Sequence, residues 1–126
     1  MPFFKGTTME KELWTFKGHK EIKITVEIGN TWWLRFKGLM GRSRASLPKG
    51  EGLFLQHTNS IHMCFMRFAI DAVYFDKNLK IVKIVRHLHP WIGLSACLKA
   101  DSCLEMRAGE AERIGMKVGM VAEKEE

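Results

Sequence analysis

The chain has 126 residues, of which 46% are hydrophobic and 27% charged. This length favours one domain spanning residues 1–126, and the composition excludes a disordered chain. The net charge of +6 suits an anionic partner, but the basic residues are scattered, so we expect nucleic acid to bind only weakly and non-specifically.

The first predicted elements are two strands. Residues 13–16 form a short strand candidate. Residues 21–28 alternate between apolar side chains at the even positions and mainly polar ones at the odd positions, from Ile22 to Ile28. This period of two predicts a half-buried antiparallel strand.

The hydrophobic period changes after residue 30. Large apolar residues recur at helical spacing from Trp32 to Met40. This spacing predicts one principal amphipathic helix near residues 31–40, which Asn30 or Thr31 can cap and Gly41 can end.

The remaining predicted elements are short. Strands are predicted at residues 52–55, 61–68, 72–75, 79–85, 102–106 and 119–122, with a hairpin turn at 76–78 and one helical turn at 109–115. This succession predicts a mainly β fold, at the margin of α+β: an antiparallel β barrel or sandwich with one principal amphipathic helix.

Four short stretches carry a family resemblance. Residues 35–42 read RFKGLMGR, residues 52–55 GLFL, residues 66–76 MRFAIDAVYFD and residues 104–109 LEMRAG. In this order, over about residues 21–122, they resemble the DUF192 (UPF0127) family, whose signature is Arg-x-x-Gly-Leu-Met-Gly-Arg. The chain departs from that family at Phe65, Ala69 and Met120, where many members have Trp, Pro and Asp. The resemblance implies a compact, mainly β fold and no established activity.

The three cysteines are Cys64, Cys97 and Cys103. An odd count at irregular spacing is a poor disulfide framework, so reduced thiols and a cytoplasmic location are the simplest interpretation. A bridge between Cys97 and Cys103 stays open. The sequence contains no apolar stretch of signal-peptide or membrane-spanning length, and a leader removed before Met1 also stays open.

Soft or borderline metal ligands stand at alternate positions in the strand predicted for residues 61–68. His62, Cys64 and Met66 would share one face of that strand. The same spacing is typical of a core strand, and no zinc-type spacing is present, so we expect no metal site and no cofactor.

Two charged residues, Arg67 and Asp71, interrupt an apolar region. Because an unpaired buried charge is costly, we expect both to have low exposure, with Asp71 bonded to backbone N–H groups, to Arg67 or to Arg35. This favours a structural role over a role as the polar anchor of a pocket.

Three functions stay open. The first hypothesis is a non-enzymatic module that binds a small polar or anionic ligand in a cleft between the predicted helix at residues 32–42 and residues 65–71. Its candidate ligand-binding residues are Arg35, Arg42, His62, Met66, Arg67 and Asp71. The alternatives are a hydrolytic or metal-assisted enzyme that uses Asp71 and a nearby His, and a basic nucleic-acid-binding domain. No nucleophile motif identifies catalytic residues, and Glu105 and Glu110 form no recognisable acid/base pair.

Overall fold

The computed structural model describes residues 10–17, 21–29 and 38–125. Most of the helix predicted near residues 31–40 lies outside these ranges, together with its predicted cap at Asn30 or Thr31 and the candidate residue Arg35. The last residues of that prediction, Gly38 to Met40, form a turn with Gly41. None of the helices in the described ranges is long and apolar enough to cross a membrane.

Nine strands and one short α-helix are found in the described part of the chain. The strands are β1 (Glu10–Lys17), β2 (Ile22–Gly29), β3 (Glu51–Leu55), β4 (Ser60–His62), β5 (Ile70–Phe75), β6 (Ile81–Leu88), β7 (Leu94–Ala96), β8 (Ser102–Arg107) and β9 (Val121–Lys124). The helix is α1 (Glu110–Arg113), and Arg44–Ser46 form a single 3-10 turn. The predictions of a mainly β fold and of a helical turn near residues 109–115 are confirmed.

Seven strands form one sheet in the order β6-β5-β8-β3-β2-β1-β9, and β4 pairs separately with β7. The sheet is antiparallel except between β2 and β3, which run parallel. Its two ends approach each other at an isolated bridge between Lys80 and Val121, where the Ile81 N–H donates to the Met120 carbonyl over 2.8 Å. The sheet is therefore strongly curled, but no continuous ladder closes it into a barrel within the described strands.

Each face of the sheet carries its own core. The first core lies on the face bearing the even-numbered residues of β2, as predicted, and contains an aromatic cluster in which Trp14 lies 4.6 Å from Phe54 between ring centroids. The second core lies between the other face and a layer formed by β4, β7 and loops; it includes Leu39, Met63 and Tyr74. Because β5 supplies side chains to both cores, all six of its residues are buried.

The β5–β6 connection confirms the predicted hairpin turn and moves the start of β6. Asp76 Oδ1 accepts hydrogen bonds from the N–H groups of Asn78 (2.8 Å) and Lys80 (3.0 Å). Leu79, with φ of 61°, belongs to the turn, so β6 begins at Ile81 instead of at residue 79. The register shifts between Ile70 and Ala72, which places a bulge in β6 near its end.

The strand predicted for residues 61–68 was wrong in length. The strand ends at His62, and Phe65 adopts a left-handed backbone with φ of 62°. Residues 63–69 still bury apolar side chains in the second core, including Met63 and Met66, but they do so from an irregular loop. An apolar run is compatible with a buried loop as well as with a strand, and its sequence does not distinguish them.

Candidate functional site

A small pocket opens beside the turn at residues 38–41, at the edge of the second core. Its volume is about 60 Å³, which is room for a few water molecules or for part of one small polar molecule. The pocket is lined by Gly38, Leu39, Met40, Leu55, Thr58, Ser60, Ile61, His62, Met66 and Glu105.

Glu105 supplies a buried carboxyl group to this pocket. It lies in β8 opposite Leu53 on one side and Ala72 on the other, and it is 4% exposed. No hydrogen-bond donor reaches its Oε1 atom from the residues that the structure describes. A methyl group added to the Cα of Gly38 would stand 3.1 Å from Oε1, so the glycine lies close against this buried oxygen and a side chain there would crowd it.

Burial changes the acidity of Glu105. Removal from water raises its pKa from 4.5 to about 7, and the positive charge of Arg42 opposes this increase. Near neutral pH the carboxyl group is therefore present in both protonation states. It can donate a hydrogen bond in one state and accept hydrogen bonds in the other.

Arg42 does not supply the missing hydrogen bond because another carboxylate holds it. Its guanidinium donates to both carboxylate oxygens of Glu27 over 2.9 and 3.2 Å and to the Ser46 carbonyl over 2.8 Å. Glu27 lies in β2 and aligns with Leu53, which in turn aligns with Glu105. One arginine thus stands near two buried acids and pairs with only one of them.

Two of the sequence-predicted site residues line the pocket. They are His62 and Met66, and Arg42 lies beside it. His62, Cys64 and Met66 do not share one face as the sequence pattern suggested, because Met66 is buried whereas His62 and Cys64 are exposed. No cluster of three or more His, Cys, Asp or Glu suitable for a metal ion occurs in the described ranges. Cys64, Cys97 and Cys103 are free thiols.

The prediction for Asp71 and Arg67 was half right. Asp71 is fully buried, and its carboxylate accepts three backbone hydrogen bonds of 3.0 Å, from His87, Gly109 and Ala111. It therefore joins the bulge of β6 to the start of α1 and does not line the pocket. Arg67 is exposed, so the expectation of low exposure was wrong for that residue. A cation is unnecessary because N–H groups satisfy the carboxylate.

Glu105 was missed by sequence reasoning. The available signal was an acid inside the apolar strand predicted for residues 102–106, directly between Leu104 and Met106. The same signal singles out Asp71. Only the fold shows that the described residues satisfy the oxygens of Asp71 and provide no donor for Oε1 of Glu105.

A second hollow is larger but offers less to a ligand. It has a volume of about 170 Å³ and lies beside Asp101 and Ser102. Two of its polar lining residues already contact each other, since His57 Nδ1 lies 3.6 Å from Asp101 Oδ1. The buried Ser102 hydroxyl has no partner among the described residues, but a neutral hydroxyl costs less to leave unpaired than a carboxylate.

Comparison with known proteins gives consistent matches. The DUF192 family model, described as "Uncharacterized ACR", matches residues 14–123. A UPF0127 protein of Pyrococcus furiosus is 33% identical over 101 residues, which are 79% of this chain and 86% of that protein.

Two crystal structures have the same fold. A protein of unknown function from Novosphingobium aromaticivorans has a TM-score of 0.80 at 21% identity, covering 90% of this chain and 84% of that one. A "putative transcription regulator" from Sinorhizobium meliloti has a TM-score of 0.84 at 19% identity, covering 93% and 95%. At these identities the likeness shows the fold alone.

Proposed function

Because the chain belongs to the DUF192 family, a family of uncharacterised proteins, we propose its function from its own geometry: it is a non-enzymatic module that binds one small polar molecule in the Glu105 pocket. The observation that carries this proposal is the Oε1 atom of Glu105, which has no hydrogen-bond partner among the residues that the structure describes. Buried polar atoms normally have a partner, and an exception inside a pocket is satisfied when a ligand supplies one.

The chemistry of the pocket favours a hydrogen-bond donor as the ligand. An amide, a hydroxyl or an ammonium group would satisfy Glu105, and an ammonium group would also stabilise its ionised form. An anionic ligand is disfavoured because it would meet a second negative charge in a site of low polarity. Of the polar and anionic ligands expected from sequence, the polar class is therefore proposed.

The mouth of the pocket can orient such a ligand. Ser60 and His62 are exposed at this edge of β4, and both line the pocket. The Ser60 hydroxyl can donate or accept a hydrogen bond, and the His62 imidazole, whose Nδ1 accepts from the Cys64 N–H over 3.2 Å, can donate from Nε2. Apolar walls from Leu55 and Met66 complete a lining with few polar groups at defined places, which is typical of small-molecule sites.

The geometry favours binding over catalysis. The enzyme alternative relied on Asp71, whose oxygens are already engaged by three backbone donors. Within the described ranges no hydrogen bond joins Glu105 to His62, so the pocket shows no nucleophile–base or acid–base pair of the kind that hydrolases use.

The test adds acetamide, methylammonium or acetate to the full chain. Binding of each probe is measured by the changes in backbone amide chemical shifts. We expect acetamide or methylammonium to shift signals around Gly38, Ser60 and Glu105, and acetate to shift them least. Native mass spectrometry of the purified protein adds a search for a co-purifying molecule.

Two alanine variants provide a matched pair. Gly38 and Gly41 both have left-handed backbones, with φ of 50° and 75°, so alanine strains both. A Cβ at Gly38 approaches Glu105, whereas one at Gly41 meets nothing within 4 Å. Gly38→Ala should abolish the shifts and Gly41→Ala should keep them. Equal binding by the two variants, preferential binding of acetate, or no binding to the wild type would contradict the proposal.

A further inference from the structure

Exposed apolar side chains concentrate in one part of the chain, between residues 65 and 98. Five large ones, between 58% and 91% exposed, lie in residues 65–98, and we call them the apolar platform: Phe65, Trp91, Ile92, Leu94 and Leu98. Apart from them, the large exposed hydrophobics of the described residues are Leu13, Val118 and Val121. A concentration of this kind indicates an interaction surface.

The platform is held together by backbone contacts. Met63 exchanges hydrogen bonds with the 91–93 turn, accepting from the Trp91 N–H over 2.6 Å and donating to the Gly93 carbonyl over 2.9 Å. The rings of Phe65 and Trp91 lie 4.8 Å apart between centroids. Leu94 is paired with His62 across β4 and β7. Phe65, Trp91 and Leu94 are therefore fixed relative to each other.

The fold gives up stability to present these side chains. Phe65 and Trp91 both adopt left-handed backbones, with φ of 62° and 71°, a conformation that is strained for a bulky residue. Gly93 permits the close approach, because a Cβ there would stand 2.6 Å from Met63 Cγ and 2.7 Å from the His89 carbonyl oxygen. Strain that holds aromatic rings outward indicates a function for those rings.

The exposed charged side chains of residues 65–101 are mainly basic, and Lys83 donates to the Ala96 carbonyl beside the platform over 2.8 Å. They are one acid, Asp101, and six cations: Arg67, Lys77, Lys80, Lys83, Arg86 and Lys99. The other two acids are Asp71, whose carboxylate is buried, and Asp76, which accepts hydrogen bonds in the β5–β6 turn. An apolar surface accompanied by cations is complementary to a partner that is apolar inside and negative at its surface.

We propose that the apolar platform docks onto a membrane surface that contains anionic lipids. Its aromatic and aliphatic side chains enter the interface, and the neighbouring cations meet the headgroups. Nucleic acid could stack on the aromatic rings and pair with the cations. It would not bury the exposed aliphatic side chains of Ile92, Leu94 and Leu98, which are stabilised most by contact with hydrocarbon. This docking does not depend on the Glu105 pocket.

Vesicle co-sedimentation of the full chain tests the proposal. Vesicles of phosphatidylcholine mixed with phosphatidylserine should bind the protein, more weakly as salt increases, and vesicles of phosphatidylcholine alone should bind it much less. Ile92→Ser should weaken binding about tenfold, because it removes an exposed side chain that the interface would bury. Val118→Ser, at an apolar residue outside the platform that is 63% exposed, should leave binding unchanged.

Tryptophan fluorescence gives a second readout. The emission of Trp91 should shift to shorter wavelength on anionic vesicles, and Trp91→Phe should remove that shift. Absence of binding, equal binding to neutral vesicles, or equal losses in Ile92→Ser and Val118→Ser would overturn the proposal. Platform-dependent binding of single-stranded DNA without vesicle binding, or dimerisation abolished by Ile92→Ser, would replace it with a different partner.

Discussion

Replacing Glu105 with Gln should change how stability depends on pH. The unfolded chain loses the Glu105 proton near pH 4.5, whereas the folded protein keeps it until about pH 7. Between these values the folded state binds more protons than the unfolded state, so the contribution of Glu105 to stability falls as pH rises. Below pH 4.5 both states are protonated, and above about pH 7 both are ionised.

The pKa difference sets the size of the effect. A pKa increase from 4.5 to about 7 corresponds to about 3 kcal/mol of folding free energy lost across this interval. Gln is neutral at every pH and has no such loss. The free energy of unfolding of Glu105→Gln, relative to that of the wild type, should therefore rise by up to about 3 kcal/mol as the pH goes from acidic to mildly alkaline. Arg42 should not be stranded, because it keeps its bonds to Glu27.

Urea unfolding of both proteins across this pH range measures the gain. Glu112→Gln, at an exposed carboxylate, controls for the loss of one negative charge. Carbon-13 detection of the Glu105 carboxyl should give a titration midpoint near 7. Parallel stability profiles for wild type and Glu105→Gln, or a midpoint near 4.5, would refute the reasoning.

Three further predictions concern the scaffold. Asp71→Ala should lower the free energy of unfolding by about 1–3 kcal/mol, because it leaves buried N–H donors unpaired, and Asp71→Asn should lower it less. Arg67→Ala, at an exposed side chain, should lower it by under about 0.5 kcal/mol. Thermal melts that rank the three variants in another order would contradict this prediction. Gly93→Ala should destabilise the protein by about 1–3 kcal/mol in urea, because its Cβ has no room, and an unchanged midpoint would count against the described packing. Tyr74→Phe should lower the free energy of unfolding by about 1 kcal/mol, because it removes the 2.6 Å hydrogen bond between the Tyr74 and Ser95 hydroxyls. Unchanged stability would show that water replaces this hydrogen bond.

The strands with regular alternation could be predicted from sequence, and their partners could not. Ile22 to Ile28 show a period of two because one side of β2 faces the first core. The parallel pairing of β2 with β3 depends on how the intervening segment returns the chain, which local patterns do not encode. Residues 63–69 were predicted to be part of a strand and form a loop, because a buried loop and a buried strand have similar composition.

The candidate site was predictable only in part for a related reason. His62 ends β4 and Met66 lies in the loop that follows it, and both line the pocket. Glu105 meets Gly38 from a distant part of the chain, and this contact defines the pocket. A buried acid is visible in a sequence as an interruption of an apolar strand. Whether its oxygens find backbone donors, as at Asp71, depends on the turns that pack against it.

The pairing of β1 has a consequence for how the protein is made. β1 lies between β2 and β9, and the Thr15 hydroxyl donates to Glu125, 110 residues further along the chain. On a ribosome, β1 and β2 can form a hairpin early, but one edge of β1 stays unpaired until β9 has been synthesised and released. During that interval its open edge is available to other chains. Cells that produce this protein rapidly should therefore accumulate aggregates built from nascent or truncated chains sooner than from the finished protein.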